Sequence, residues 1–332
     1  MNKKIAINGF GRIGRLAARI ILSKYPDLEI VAVNDLTSPE NLAYLFEFDS
    51  TYHRFEYPVS VKDGNIVVKK PTGEVVIKVL SEKDPAKLPW ADLGVEVVLE
   101  CTGRFLTRDL ANLHLQNGVK KVVLSAPAKD EDIATVVLGV NDVPREGIIS
   151  NASCTTNCIS PALKVLNDNF EIEQAMGITV HAYTATQLLQ DAPSQKEFRD
   201  GRAAAINMIP SKTGAAKAVL RVLPVLTGKL SLSALRVPII TGSMVYLTAT
   251  LKADVTKESV NAAFLKASQT NLNGILEYSE NELVSTDIIG NTHSTVIDGS
   301  LTEVLGKTVK ILAWYDNEWG YANRLVEVVD QA

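Results

Sequence analysis

Cys154 and His181 are the two side chains with the most chemistry to offer. In the run Ser150-Asn151-Ala152-Ser153-Cys154-Thr155-Thr156-Asn157-Cys158, the thiol follows a short β-branched stretch and opens a helical pattern. Ser153 is of a type that caps helices, which puts Cys154 in the first turn. Unpaired N–H groups and the positive end of the helix dipole favour a thiolate there. With a histidine nearby, such placement lowers a thiol pKa from ~8.5 to ~3.5–7.5. His181 ends the apolar run Gly177-Ile178-Thr179-Val180. A single histidine at a strand end is more often structural, but beside Cys154 it reads as the base of a nucleophilic pair. Cys158, one helical turn on, reads as a core cysteine, with a redox partner or a supporting group as the other reading. Cys101 ends an apolar strand and reads as core. His53, His114, His181 and His293 are scattered and match no cysteine pair, so no metal site is expected.

A second constellation lies near residue 10. Gly9-Phe10-Gly11-Arg12-Ile13-Gly14 is a G-x-G-x-x-G that follows a strand pattern and opens a helix pattern, the context the motif requires. The first glycine permits a tight turn, the second lets backbone approach a pyrophosphate, and the third allows close helix–strand packing. The helix N-terminus then offers N–H groups to the phosphates. Asp35 closes a second apolar strand about 20 residues beyond Gly14, where a carboxylate accepts from ribose hydroxyls and repels a 2′-phosphate. NAD is therefore expected over NADP. A cysteine hydrolase would also use a thiol and a histidine, but it has no need of a dinucleotide.

These residues need scaffolding. Short β-branched runs at 5–8, 29–34, 97–100, 122–124, 135–138 and 148–150, with a helical pattern at 12–23, imply βαβ units and a largely parallel sheet. Residues 62–80 differ, with hairpin turns at Asp63-Gly64-Asn65 and Pro71-Thr72-Gly73. Beyond 151 come a long helix at 154–170, extended runs at 176–182, 230–237, 244–251 and 308–314, and helical patterns at 211–220 and 317–329. The fold class is α/β: a Rossmann-type doubly wound sheet domain plus an α+β catalytic domain with a mainly antiparallel sheet. The expected domains are 1–150, joined by the C-terminal helix 317–332, and 151–316. Residues 186–207 have no clear period, and a loop of that length is usually functional or disordered.

Composition sets the limits. The chain has 332 residues, 46% apolar and 22% charged, enough for a core with a polar surface. The formal net charge of −4 argues against nucleic acid as the main partner. Three cysteines make a poor disulfide framework and fit a reducing compartment. The apolar run after Lys3-Lys4 is too short for a signal peptide, and no stretch is long enough for a membrane span. The expectation is a cytoplasmic protein.

Several motifs together resemble the phosphorylating glyceraldehyde-3-phosphate dehydrogenases. They are the stretches at residues 7–15, 125–133, 152–158, 181–187, 213–219 and 235–238, and the run WYDNEWGYANR at 314–324, all in family order. The YTATQ at 183–187 departs from the related erythrose-4-phosphate enzymes. The resemblance implies that Cys154 attacks the aldehyde of glyceraldehyde 3-phosphate and that His181 acts as base. Hydride passes to NAD, and inorganic phosphate releases 1,3-bisphosphoglycerate from a thioester. It also implies that Thr184 and Arg236 hold the substrate phosphate, and that Ser153, Thr155, Thr213 and Gly214 hold inorganic phosphate. Arg12 and Ile13 would sit at the pyrophosphate, Lys83 and Ser125 near the adenosine and nicotinamide parts, and Asn317 at the carboxamide. Residues 186–207 resemble the family's S-shaped loop, which lines a neighbouring subunit's cofactor pocket, so a homotetramer is implied. Two positions depart from the pattern. Lys212 replaces a small residue and reads as solvated, or else as added charge near the phosphate pocket. Tyr246 replaces an acidic residue, which affects local pairing or subunit contacts and not the reaction.

Overall fold

The computed structural model describes residues 2–115, 119–145, 147–194 and 197–331. The chain divides into two compact units. One comprises 1–136, 143–152 and 322–332, and the other 137–142 and 153–321.

The first unit is built on a nine-stranded sheet. Its order is Ala134–Thr135, Gly147–Ser150, Lys121–Leu124, Val97–Glu100, Lys3–Asn8, Leu28–Asn34, Gly73–Leu80, Asn65–Lys70 and Val59–Lys62. The strands from Ala134–Thr135 through Gly73–Leu80 pair in parallel. The last three form antiparallel hairpins about the two turns legible in the sequence. Strand order reverses beside Lys3–Asn8. The chain first builds outward through Leu28–Asn34, then returns to place Val97–Glu100 on the opposite side. Such a reversal leaves a crevice at the carboxyl ends of the strands, where dinucleotides bind in sheets of this kind. Ile5, Ala6, Ile7, Val98 and Leu99 are fully buried, as strands covered on both faces must be.

The glycine loop follows from sterics. Gly9 has φ +93°, and a Cβ there would meet the Thr102 nitrogen at 2.7 Å. A Cβ on Gly14 would lie 2.3 Å from the Gly9 carbonyl oxygen, whereas one on Gly11 would meet nothing within 4 Å. The helix Arg12–Lys24 can therefore start directly beneath the turn, with Leu16, Ala17, Ile20 and Ile21 buried.

The second unit has an eight-stranded sheet. Its main path runs Ile209–Ser211, Leu230–Val237, Ile172–Ala182, Ser243–Leu251, Thr308–Tyr315, Thr295–Asp298 and Leu276–Ser279, and Glu303–Leu305 pairs with Thr308–Tyr315. Most pairings are antiparallel. Ile172–Ala182 with Leu230–Val237, and Leu276–Ser279 with Thr295–Asp298, are parallel. The helix Cys154–Phe170 packs against this sheet, with Cys158, Ile159, Ala162, Leu163 and Leu166 buried.

Several boundaries differ from the sequence reading. The strand expected at 135–138 stops at Thr135, because Val137 N–H bonds the Asn141 side chain and starts a turn. The helix expected at 211–220 is Ala215–Val222. Ser211 belongs to a short strand, and the Thr213 hydroxyl accepts from Ala215 N–H just ahead of the first turn. The closing helix begins at Trp319, after Asp316 accepts from Glu318 N–H and Trp319 N–H. Helices Pro39–Glu47, Arg108–Leu115 and Lys257–Gln269 were not read from the sequence.

Gly14→Ala is expected to lower stability by about 1–3 kcal/mol through overpacking. Gly11→Ala, at an uncrowded helix cap, should cost less than about 1 kcal/mol. Thermal denaturation of both variants measures this; equal losses would contradict the packing role of Gly14.

Candidate functional site

In the first unit, the carboxyl ends of the strands open into a cleft of about 660 Å³ lined by Asn8, Gly9, Gly11, Asn34, Asp35, Lys83, Cys101, Thr102 and Phe105, among others. Gly9, Gly11, Asp35 and Lys83 were singled out from the sequence, and the cleft brings them together. Asp35 accepts from Phe10 N–H at 2.9 Å through one oxygen and from Thr37 N–H at 3.1 Å through the other. A carboxylate has about four lone-pair sites, so capacity remains for hydroxyl donors. No side chain caps the helix that Gly11 opens. The N–H groups of its first turn, including that of Ile13, are thus placed for an anion. The Arg12 guanidinium is paired with Asp49 and lies 5.8 Å from the Tyr52 ring centre. Ser125 is not among the lining residues. Its hydroxyl bonds the Cys101 thiol.

Sequence reasoning missed the polar network beneath this cleft. Glu100 is wholly buried, and its carboxylate accepts from the Asn8 amide at 2.6 Å and from Thr102 N–H at 2.8 Å. His114 Nδ1 accepts from Trp90 Nε1–H, which leaves Nε2–H to donate to Glu100 at 3.1 Å. Asn8 in turn accepts from Asn34, whose amide also brackets Glu82. Cys101, read as a core residue, instead lines the cleft half-buried. Burial of its sulfur nonetheless pushes the thiol up to about 12, against the bond from Ser125, which disfavours the reactive thiolate.

In the second unit, Ser153 caps the helix Cys154–Phe170, its hydroxyl accepting from Thr156 N–H at 3.1 Å. Cys154 thus occupies the first turn, as the residue types suggested. Its Sγ lies 3.4 Å from His181 Nε2. His181 reaches this point because it ends the strand Ile172–Ala182, and the parallel register sets it directly beside Arg236 on Leu230–Val237. Arg236 Nη1 lies 2.6 Å from His181 Nδ1 and 3.0 Å from the Ala182 carbonyl oxygen, while Nδ1 lies 2.7 Å from that same oxygen.

The electrostatics correct the expectation of a lowered thiol pKa. Burial pushes the Cys154 thiol up, outweighing the pull of Arg236 and the hydrogen bonds from Thr155. Burial, with the Arg236 charge added, holds His181 down at about 3. Burial thus presses each group on its own toward its neutral form, and a proton passing between them would pair the two charges. Cys158 faces the core, near the Thr295 hydroxyl, and burial raises its thiol too.

Tyr315 is a second omission of the sequence reading. It is buried, its hydroxyl lies 3.0 Å from the Thr155 hydroxyl and 2.8 Å from that of Thr179, and its ring meets His181 edge-on at 5.9 Å. The Thr155 hydroxyl is thereby engaged with Tyr315 and the Cys154 sulfur.

Arg236 also lines a separate cleft of about 380 Å³ with Thr186, Gln187, Ser211 and Lys212. Lys212 lies 2.7 Å from Glu197 and its side chain is 86% exposed, so it is both solvated and at the rim of this cleft. Thr184 bonds Thr186 through its hydroxyl, and Thr213 and Gly214 form the turn before Ala215–Val222. Asn317 is buried, and its side-chain oxygen accepts from the Thr241 and Ser243 hydroxyls at 3.2 and 2.8 Å, which leaves its amide donors for a ligand carbonyl. Tyr246, half-buried in its strand, has the Lys310 ammonium 5.9 Å from its ring centre. Among the described residues no group of acidic, histidine or cysteine side chains could hold a metal ion, and no helix is long and apolar enough to cross a membrane.

Comparison with known proteins agrees with this geometry. Residues 3–108 match the model of the glyceraldehyde 3-phosphate dehydrogenase NAD binding domain, and 153–317 match that of the C-terminal domain of the same family. The chain is 51% identical to the glyceraldehyde-3-phosphate dehydrogenase of Mycobacterium avium over 99% of its own length and 98% of that protein's. It is 50% identical to glyceraldehyde-3-phosphate dehydrogenase 1 of Streptomyces avermitilis and 51% identical to the Mycolicibacterium smegmatis enzyme, with the same coverage. A thiol–imidazole pair at a helix start and a glycine-loop cleft at a strand-order reversal are thus carried by a chain that belongs to the glyceraldehyde 3-phosphate dehydrogenase family.

Proposed function

We propose that this chain oxidises D-glyceraldehyde 3-phosphate, with NAD and inorganic phosphate, to 1,3-bisphosphoglycerate in glycolysis, using Cys154 as nucleophile and His181 as base. The carrying observation is the 3.4 Å approach of Cys154 Sγ to His181 Nε2 at a capped helix start. The Cys154 sulfur adds to the aldehyde carbon as its proton passes to His181, which returns it to the carbonyl oxygen to complete a thiohemiacetal. His181 then takes the hydroxyl proton of that adduct as the carbon is oxidised. NAD supplies the hydride acceptor for this oxidation. The resulting thioester is attacked by a phosphate oxygen, the C–S bond breaks, the acyl phosphate is released, and the Cys154 sulfur, which stays on the protein, recovers its proton from His181. Splitting one hard step into two easier ones is the gain of covalent catalysis.

The residues present suit NAD. The uncapped helix end and the space beside Gly11 accept a pyrophosphate, and Asp35 accepts ribose hydroxyls. Arg12 and Ile13 would stand at the pyrophosphate, Lys83 and Ser125 toward the adenosine and nicotinamide parts, and Asn317 would donate to the carboxamide. Arg236 and Thr184 serve the substrate phosphate; a guanidinium is a natural bidentate partner for it. Ser153, Thr155, Thr213 and Gly214 serve inorganic phosphate. With its hydroxyl engaged at Tyr315, Thr155 contributes through its backbone N–H.

By this reading residues 1–150 with the C-terminal segment 317–332, which carries the helix Trp319–Asp330, form the NAD-binding domain, residues 151–316 form the catalytic domain, and the protein is a cytoplasmic homotetramer. Support for assembly comes from large apolar side chains left in water. Leu189 is 87% exposed, Phe198 95%, Ile206 80% and Met208 71%. Apolar groups gathered in this way mark interaction surfaces.

The direct test is absorbance at 340 nm on mixing protein, NAD and glyceraldehyde 3-phosphate. The rise should require added phosphate and should vanish in Cys154→Ser, which still binds NAD; a rise that ignores phosphate would overturn the acyl-phosphate route. Asp35→Ala should weaken NAD and narrow its preference over NADP by about tenfold or more, as loss of a charge-assisted bond does. An unchanged ratio of kcat/KM for the two cofactors would remove Asp35 from discrimination. A third expectation follows from the neutral imidazole. The folded protein holds His181 at about 3, whereas the unfolded chain binds its proton near 6.5, so between those values the unfolded state carries the extra proton. Stability is then fully present above about pH 6.5 and is lost as pH falls through that window. His181→Asn should flatten the dependence of unfolding free energy on pH between about 4 and 6 by ~1.4 kcal/mol per pH unit. Urea unfolding at fixed protein concentration reads it, and an unaltered slope contradicts a neutral His181.

A further inference from the structure

Asn317 owes the direction of its amide to a chain of buried hydrogen bonds. Its Oδ1 lies 2.8 Å from the Ser243 hydroxyl and 3.2 Å from that of Thr241. The two ends of a carboxamide are similar in size but opposite in character, one accepting and the other donating. Its neighbours decide which end faces outward. Ser243 is wholly buried, and its oxygen accepts from Ala182 N–H at 3.0 Å. That backbone group can only donate, so the serine's own proton still needs an acceptor. A buried hydroxyl left without one is costly. Among the described residues, the only other side-chain hydrogen bond of Ser243 is to Asn317. The chain therefore has one sense: Ala182 N–H donates to Ser243, and the Ser243 hydroxyl donates to Asn317 Oδ1. Thr241 is the weaker guide, because its single proton is shared between Asn317 Oδ1 and the Asp316 carboxylate at 3.1 Å. Gly242 fixes the turn between the two hydroxyls. Its φ is +87°, and a Cβ there would lie 2.2 Å from the Ser285 carbonyl oxygen.

We propose that Ser243 is a positioning residue for the cofactor: it turns the Asn317 amide so that Nδ2 faces outward as a donor to the carbonyl oxygen of the nicotinamide carboxamide. This rests on the reading of Asn317 as the carboxamide ligand and adds the group that aims it. Among the described residues nothing accepts from Asn317 Nδ2, so its protons remain for a ligand. An amide held in advance binds its partner without the cost of ordering it. The same hydroxyl has a second attachment. Ala182, whose N–H it accepts, has its carbonyl oxygen 2.7 Å from His181 Nδ1. One buried side chain thus links the backbone beside the base to the amide that receives the nicotinamide. Without this hydroxyl, Oδ1 keeps only a share of the Thr241 proton, Ala182 N–H loses this acceptor, and the Asn317 amide is free to turn its oxygen outward.

The test compares NAD with ADP-ribose, which keeps the adenosine and pyrophosphate but lacks the nicotinamide, by calorimetric titration of the full-length protein. Ser243→Ala should bind NAD about tenfold more weakly, the effect of losing one buried hydrogen bond, and should bind ADP-ribose with unchanged Kd. A site that had merely loosened would lose both ligands together. Ser243→Cys keeps a side chain of similar size but donates poorly, so it should show the same selective loss, and it replaces the alanine variant should that one not fold. In an Asn317→Ala background, Ser243→Ala should leave the ratio of the two dissociation constants where Asn317→Ala alone put it, because the two side chains act as one unit. Equal losses for both ligands in the Ser243 variants, or no loss for either, overturn the positioning role. The carboxamide reading survives that result if Asn317→Ala still weakens NAD and spares ADP-ribose. An unchanged ratio in Asn317→Ala overturns that reading, and the role of Ser243 with it.

Discussion

Burial of a thiol and an imidazole side by side is the constraint on which the second unit's chemistry turns. Both side chains can be charged, and both are held where charge is expensive. The helix start, the Thr155 bonds and Arg236 all favour a thiolate, yet desolvation outweighs them and the thiol is pushed up. The imidazole meets the same penalty, with the like charge of Arg236 added. Burial therefore disfavours ionising either group alone. They ionise together, by moving one proton across 3.4 Å, and the ion pair so formed compensates each partner. A nucleophile of this kind responds to whatever alters the charges around it, so the position of Arg236 matters more than its distance from the sulfur suggests.

The scaffold supplies rigidity to match. Thr155 on the helix, Thr179 on the His181 strand and Tyr315 on a third element meet in one hydrogen-bonded cluster beneath the thiol. Each hydroxyl in the cluster is partnered, as buried polar groups must be. Tyr315 fixes the helix start relative to the strand that ends in His181, and its ring fills the space at the imidazole edge. In the first unit the Glu100–Asn8–Asn34 chain plays the same part, holding the strand ends whose next residues form the cleft.

What the sequence disclosed was local. The glycine loop was legible because each glycine answers a steric demand of its immediate neighbours, and Gly9 and Gly14 do crowd each other as the motif requires. The bounds of Cys154–Phe170 were legible because Ser153 is a cap and the apolar period is long. What stayed hidden is non-local. Glu100 and His114 meet through the packing of a strand against a helix, and neither carries a motif. Arg236 and His181, 55 residues apart, become partners through the register of a parallel pair, which no local pattern encodes. The Thr213 turn was drawn into a helix because its small residues suit both states, and the pairing of Ile209–Ser211 decided the outcome. Cys101 was misjudged for a related reason: an apolar run predicts a buried strand, but the strand's last residue falls at the crevice.

The two departures from the family pattern separate cleanly on physical grounds. Tyr246 sits in the strand Ser243–Leu251, where its ring faces the Lys310 ammonium; the acidic residue it replaces could have paired the same lysine by charge. An aromatic face attracts a cation less strongly than a carboxylate does but keeps the contact, so the change alters how the strand's surface is covered and leaves the thiol untouched. Lys212 differs because it shares a cleft with Arg236. Its pairing with Glu197 cancels most of the field it would add, and an exposed pair of this kind is weak enough to be exchanged for a phosphate. Lys212 therefore stands at the rim of the Arg236 cleft with its charge offset by Glu197, whereas Tyr246 acts only on the covering of its own strand.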